Sequence, residues 1–234
     1  GETIAREQVT ADGKSKVIGA LGDAASRLRR KLGESRASLD IHNVPLVQAT
    51  TPSLEALQAF SLADQAFYRM DFTSVFTHAE RAISLDPGFP MALSLLGSIQ
   101  MSFGQIDQGL ENVRKAYELR DRVTEFERYS ISNVYFRDGL WDFAKALQIL
   151  QRWNLAYPHK AFPLFILGIF YTGWLGQYEE ALPLLQESLQ LEPTALSYEG
   201  VIRTYYLSNH LDEARKLIQE ARSRKIENVF ISRT

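Results

Sequence analysis

Five copies of one spacing of small residues constrain the fold of this 234-residue chain more than any other feature. A small or apolar residue is followed, four and then three positions later, by further residues that sit on one face of a helix. Small side chains there let a neighbouring helix approach closely. The copies begin at Val75, Gly109, Ala146, Ala181 and Ala214, which are 34, 37, 35 and 33 residues apart. We therefore predict a repeat of about 34 residues.

A second helix is predicted upstream of this face in each repeat. Leu96-Gly97 followed by Gly104, and Leu167-Gly168 followed by Gly176, indicate a helix that ends at a glycine in the left-handed conformation. Because proline cannot donate the next backbone hydrogen bond, the downstream helix is expected to stop near a proline. Three repeats have one, at Pro87, Pro158 and Pro193.

The order Leu-Gly, turn glycine, alanine, apolar residue, alanine and proline resembles the tetratricopeptide repeat over roughly residues 53–226. The resemblance implies an all-α, right-handed α-α superhelix (a solenoid) of about five helix-turn-helix repeats, preceded here by an amphipathic helix. It also implies a concave surface that binds a protein or peptide. The predicted repeats are 53–87, 88–121, 122–158, 159–193 and 194–226.

Three departures from that pattern are visible. Asp121 and Ile226 stand where proline is expected, and the third repeat has no Leu-Gly pair. In the fourth repeat the interval from Gly168 to Gly176 is one residue longer than its counterpart in the second repeat. The helix bounds of the third and fourth repeats are therefore left open.

The segments outside the repeats are assigned from local pattern. Residues 14–32 carry an apolar stripe and a basic end, which predicts an amphipathic helix capped by Gly33 and followed, up to residue 52, by an extended connector. Residues 1–11 are expected to form a strand of an upstream domain, so that 1–13 end a preceding domain or extended segment. Residues 227–234 are expected to begin a further segment.

Residues 28–35 followed by 49–57 resemble the region that joins a sensor-like module to tetratricopeptide repeats in bacterial serine/threonine kinases and related regulators. This implies a bacterial parent that is either membrane-anchored, with the repeats outside the cytoplasm, or a cytoplasmic regulator. Because the chain starts at Gly1 rather than Met, we expect it to be a piece of a longer protein. It contains no glycine-rich nucleotide loop and no His-Arg-Asp phrase, so no kinase activity is predicted for this segment.

Composition removes several functional classes. With 26 basic and 28 acidic residues, the chain lacks the positive field that generic nucleic-acid binding needs. No stretch approaches the ~18 consecutive apolar residues of a membrane span. The chain has no cysteine, and its four histidines lie apart in sequence, so neither a metal nor another cofactor is predicted. We predict a binding protein that is not an enzyme.

The partner-binding face is predicted from the first helix of each repeat, which lines the concave surface in such solenoids. Aromatic rings and arginines are frequent binding anchors. Four of the residues, Phe60, Tyr68, Phe165 and Tyr206, are expected to be at least partly exposed. The complete predicted face is Phe60, Asp64, Phe67, Tyr68, Met91, Met101, Arg128, Tyr135, Phe165, Arg203 and Tyr206.

Three alternatives stay open. Self-association is suggested by the apolar run Val229-Phe230-Ile231 after the fifth repeat, because an uncapped solenoid end exposes core surface. A small-molecule sensor would use the same aromatic groove. Finally, the helix at 14–32 or a further C-terminal helix could occupy the groove from within the protein.

Overall fold

The structure is a computed structural model that describes residues 5–13, 16–33 and 51–226. Within those ranges it contains eleven α-helices and no strand. The helices are α1 Val17–Lys31, α2 Leu54–Tyr68, α3 Phe72–Leu85, α4 Pro90–Ser102, α5 Ile106–Glu118, α6 Glu125–Val134, α7 Phe143–Ala156, α8 Ala161–Phe170, α9 Tyr178–Leu191, α10 Ala195–Leu207 and α11 Leu211–Ser223.

Helix α1 precedes the repeats and ends as the sequence predicts. The backbone N–H of Gly33, at φ +94°, donates to the carbonyl oxygen of Arg30 over 3.1 Å. Residues 5–11, by contrast, are not in a helix or a strand. The expected strand would belong to an upstream domain, so it stays a prediction. This segment forms an ion pair with α1, in which the Nζ of Lys31 lies 2.8 Å from a carboxylate oxygen of Glu7.

Helices α2 to α11 form five consecutive pairs, and the all-α prediction is confirmed. The second helices α3, α7 and α9 each end two residues before a proline, at Leu85, Ala156 and Leu191. The residue before a proline is pushed out of the helical region, which accounts for this position. In the second repeat, where Asp121 replaces proline, a 3₁₀ turn at Arg120–Arg122 ends the repeat instead.

A residue in the left-handed conformation connects the two helices of every pair. It lies five positions before the first small residue of each repeat. The left-handed conformation was predicted from the sequence only at the two positions that are glycine. The left-handed residues are Met70, Gly104, Trp141, Gly176 and Asn209. Three of the five repeats thus use a residue with a side chain, which this conformation disfavours.

Two first helices end in a single wide π turn rather than a simple cap. These turns are Tyr135–Gly139 in the third repeat and Tyr171–Leu175 in the fourth. The closing N–H of Gln177 reaches back six residues to the carbonyl of Tyr171, whereas that of Gln105 reaches back five, to Gln100. The extra residue of the fourth repeat is therefore absorbed at the end of its first helix.

The described residues fall into two compact units. The first draws on the described residues up to 62 and on 76–140, and the second on residues 63–75 and 141–226. Phe89 and neighbouring alanines are buried in one core cluster of the first unit. Phe165, Leu185 and Val201 are buried in a cluster of the second unit.

Replacing Lys225 with glycine is expected to raise the free energy of unfolding by about 0.5–1 kcal/mol. Lys225 is exposed just after α11, at φ +57°, a conformation that glycine adopts without the steric cost of a Cβ. The unfolding midpoint in urea measures the change. Lys225→Ala is the matched control and should leave the midpoint unchanged, because alanine keeps the Cβ. An equal gain for both variants would contradict a backbone origin.

Candidate functional site

Aromatic rings from α2 and α8 meet in the second unit, at the end of α2. The ring centroid of Phe162 lies 6.5 Å from that of Phe67 and 6.1 Å from that of Tyr68, and both pairs meet edge to face. This is a favourable arrangement for aromatic side chains. Phe67 and Tyr68 also pack against the buried core cluster that contains Phe165. We call this group, together with the adjacent carboxylates of Asp64 and Glu192, the Tyr68 cluster.

The carboxylates give the Tyr68 cluster an unfavourable negative charge. Burial, and secondarily the charge of Glu192, raise the pKa of Asp64 from 3.8 to about 6. The pKa of the Tyr68 hydroxyl is also raised, by burial and then by the charges of Asp64 and Glu192. Both effects disfavour the charged form. A cationic group placed here would therefore relieve the cost.

The end of α2 covers the part of α8 and α10 formed by Phe162, Phe165 and Leu196. Between Tyr68, Phe162, Phe165 and Leu196 there remains a cavity of about 10 Å³. This is at the lower limit for a single water molecule. From the sequence alone, it stayed open whether another part of the same protein occupies the predicted binding groove. The helix at 14–32, which is α1, or a further C-terminal helix was the expected occupant. In this part of the chain the occupant is the end of α2.

Four residues of the predicted binding face pack within the first unit. Phe60 and Met91 lie against a buried core cluster, and the ring of Phe60 is 5.0 Å from that of Phe89. The ring of Tyr135 stacks on that of Tyr117 at 3.8 Å. Met101 packs so closely on Gly109 that a Cβ there would lie 2.4 Å from its Cγ.

The other predicted residues are dispersed. Arg128 is exposed on α6. Arg203 pairs with Glu199 on α10, with 3.3 Å between guanidinium nitrogen and carboxylate oxygen. Tyr206 is 68% exposed and lines a shallow groove beside α11. Phe165 is 6% exposed, so the prediction that it is partly exposed is wrong.

The burial of Phe165 has a simple cause. A Cβ on Gly200 would lie 2.8 Å from its ring, so α10 approaches this ring closely. Sequence reasoning also missed Glu192, which caps the end of α9. Nothing in the repeat pattern places Glu192 beside α2, because the pattern reports contacts between neighbouring helices. The sequence signal that could have been used is the negative charge of Glu192 itself, because the predicted face already contains the acidic residue Asp64.

Two tests for other site types concern the described residues. No group of three or more histidine, aspartate and glutamate side chains there could hold a metal ion. Among the helices of residues 16–33 and 51–226, none combines the length and apolar character of a membrane span.

Comparison with known proteins identifies the fold. No protein-family profile matches the chain, and no curated protein matches its sequence. The structure is similar to that of TTC0263, a thermophilic tetratricopeptide protein of Thermus thermophilus, with 22% identity, a TM-score of 0.55, and 76% of this chain and 95% of that chain covered. This likeness shows that the helical pairs have the tetratricopeptide fold, which confirms the predicted fold class.

Two structures of MamA are more distant. One shares 21% identity at a TM-score of 0.40, covering 70% of this chain and 94% of that chain. The other, MamA 41-end from Desulfovibrio magneticus RS-1, shares 16% identity at a TM-score of 0.41, covering 75% and 99%.

Proposed function

We propose that this chain is a protein-binding module that recognises a protein or peptide segment through the first helices of its repeats. The observation that carries the proposal is the Tyr68 cluster, in which α8 and α10 accept two aromatic side chains of α2 near the carboxylates of Asp64 and Glu192. The first helices thus bind aromatic rings where α2 covers them, and we expect the part that α2 leaves open, at Arg203 and Tyr206, to bind side chains of another chain. The tetratricopeptide fold supports binding over catalysis.

Two exposed members of the predicted face extend this surface on α10. Arg203 and Tyr206 offer a guanidinium and a phenol ring, both common binding anchors. The larger context proposed for the module is the sensory or scaffolding region of a bacterial regulatory protein such as a serine/threonine kinase. The resemblance of residues 28–35 and 49–57 to such proteins supports this part of the proposal.

The test is affinity capture of proteins from a lysate of the source organism, followed by calorimetric titration of each retained protein. We expect Arg203→Ala/Tyr206→Ala to weaken binding of the true partner by about 10-fold or more, as loss of binding anchors does. The matched control is Arg152→Ala/Leu155→Ala, which removes an exposed arginine and an exposed apolar residue from the second helix α7. Equal affinity for both double variants would reject the first-helix surface.

Self-association is the second candidate, because α10 and α11 expose an apolar groove of about 320 Å³. Tyr206 and Leu211, which line it, are 68% and 38% exposed. Sedimentation at increasing concentration of the chain alone distinguishes this candidate, because partner binding predicts a monomer throughout. The small-molecule sensor, which would use the same groove, stays a prediction.

A further inference from the structure

Two of the three tryptophans of the chain stand exposed next to each other in the second unit. Trp141 is 60% exposed and Trp174 is 44% exposed. Their ring centroids are 6.4 Å apart and the ring planes meet at 78°. We call these residues the tryptophan pair. Neither belongs to the predicted first-helix surface, so the pair is a separate feature.

The ring of Phe143 packs against both indole rings of the tryptophan pair. The ring of Phe143 lies 4.6 Å from that of Trp174 and 6.0 Å from that of Trp141. Phe170 is buried, with its ring 6.4 Å from that of Trp174. The two indoles therefore pack against other aromatic rings, which restricts their side-chain motion. Such restriction lowers the conformational entropy that is lost when a ligand binds.

The backbone at Trp141 is unusual for an aromatic residue. Its φ is +56°, and the equivalent positions of the second and fourth repeats are the glycines Gly104 and Gly176. Folding alone favours glycine there. Met70 and Asn209 have the same conformation in the first and fifth repeats, so what distinguishes Trp141 is the large exposed ring at this position.

The charged residues next in sequence to the tryptophan pair are mainly acidic. In the segments 141–145 and 170–180, which carry both indoles, there are three acidic residues, Asp142, Glu179 and Glu180, and one basic residue, Lys145. All four residues are exposed. The carboxylate of Asp142 also caps α7 by accepting the backbone N–H of Lys145 over 2.9 Å. The exposed residues of these two segments thus carry a net negative charge, which favours a positively charged ligand.

We propose that the tryptophan pair docks an arginine side chain from a basic segment of a partner protein. An indole face attracts a cation through its quadrupole, and the planar guanidinium of arginine stacks on such faces. Perpendicular indoles offer the guanidinium one ring to stack on and a second ring to border it. The adjacent carboxylates add charge complementarity, which an anionic or an aliphatic ligand would not use.

The test is an NMR titration of the full chain with a blocked tetra-arginine peptide at low ionic strength. The indole N–H signals of Trp141 and Trp174 should shift saturably, while that of Trp153, which is 1% exposed, should stay in place. Added salt should weaken the interaction. A tetra-citrulline peptide, which keeps the shape of arginine without its charge, should bind at least about 3-fold more weakly, as loss of the cation–π attraction implies.

Substitutions test which residues bind the peptide. In each single tryptophan variant, the indole N–H signal of the other tryptophan reports binding. Trp141→Leu and Trp174→Leu should each weaken binding about 2- to 5-fold. Asp142→Asn removes a charge but keeps a good helix cap, so it should weaken binding without unfolding α7. Phe103→Leu, at an exposed aromatic residue of another turn, is the control and should bind like the wild type.

Three results would overturn the proposal. These are equal binding of the arginine and citrulline peptides, unchanged binding by both tryptophan variants with native circular dichroism, and tighter binding of a tetraproline peptide. The last result would make the pair a site for proline-rich segments.

Discussion

Replacing Gly97 with alanine is expected to lower the free energy of unfolding by about 2–3 kcal/mol. Gly97 lies where α4 crosses α5, and a Cβ there would be 2.8 Å from the carbonyl oxygen of Gly109 and 2.8 Å from Cγ2 of Val113. Backbone and buried side chain cannot both move aside, so the helices must separate. The better helix propensity of alanine, about 1 kcal/mol, offsets only part of this cost.

Gly173→Ala is the matched control for this prediction. Gly173 is exposed, and a Cβ built on it meets no other atom within 4 Å. Its substitution should leave stability unchanged or raise it by up to about 1 kcal/mol. Urea unfolding of the full chain, followed by circular dichroism, measures both variants. If Gly97→Ala had the midpoint of the wild type, α4 and α5 could not approach as closely as described.

Replacing Asp64 with asparagine is expected to raise the free energy of unfolding at pH 7.5 by about 1–3 kcal/mol. The pKa of Asp64 is raised from 3.8 to about 6, mainly by burial and also by the charge of Glu192. A raised carboxyl pKa means that the charged form destabilises the fold. The penalty is absent below pH 3.8, grows up to about pH 6, and is complete above that value.

The measurement is urea unfolding of the wild type and the Asp64→Asn variant across that pH window. The wild type should lose stability relative to the variant as the pH rises, and the difference should level off above about pH 6. Glu192→Gln should give a smaller gain, because it removes only the lesser cause. Glu187→Gln, an exposed residue of α9, should change nothing. A constant difference at all pH values would show that titration of Asp64 is not responsible.

The helical pairs were predictable because they follow from local rules. Spacings of four and three residues define a helix face whatever else the chain does, and Pro87, Pro158 and Pro193 end the helices that carry it. The glycine turns at Gly104 and Gly176 were predictable for the same reason. Trp141 in the equivalent position was not, because a large ring gives no sign of a left-handed backbone.

The candidate site was less predictable because it depends on contacts between repeats distant in sequence. Periodicity reports which helices are neighbours, and it predicted neither the packing of Tyr68 on Phe162 nor the charge of Glu192 beside Asp64. Periodicity also does not distinguish the residues of a first helix that are exposed to solvent from those that a neighbouring helix buries. Phe165 and Tyr206 were assigned to one face, yet one is buried and the other open.

The wide turn at Tyr171–Leu175 bears on how such chains can change in length during evolution. Because the additional residue is accommodated after the packed part of α8, Gly168 still faces Leu185 across the helix pair. A single-codon insertion at this point alters the turn and leaves the interhelical register intact. Turns of this kind are therefore places where the length of the chain can change without disturbing the packed helix pair, as is general for connecting segments.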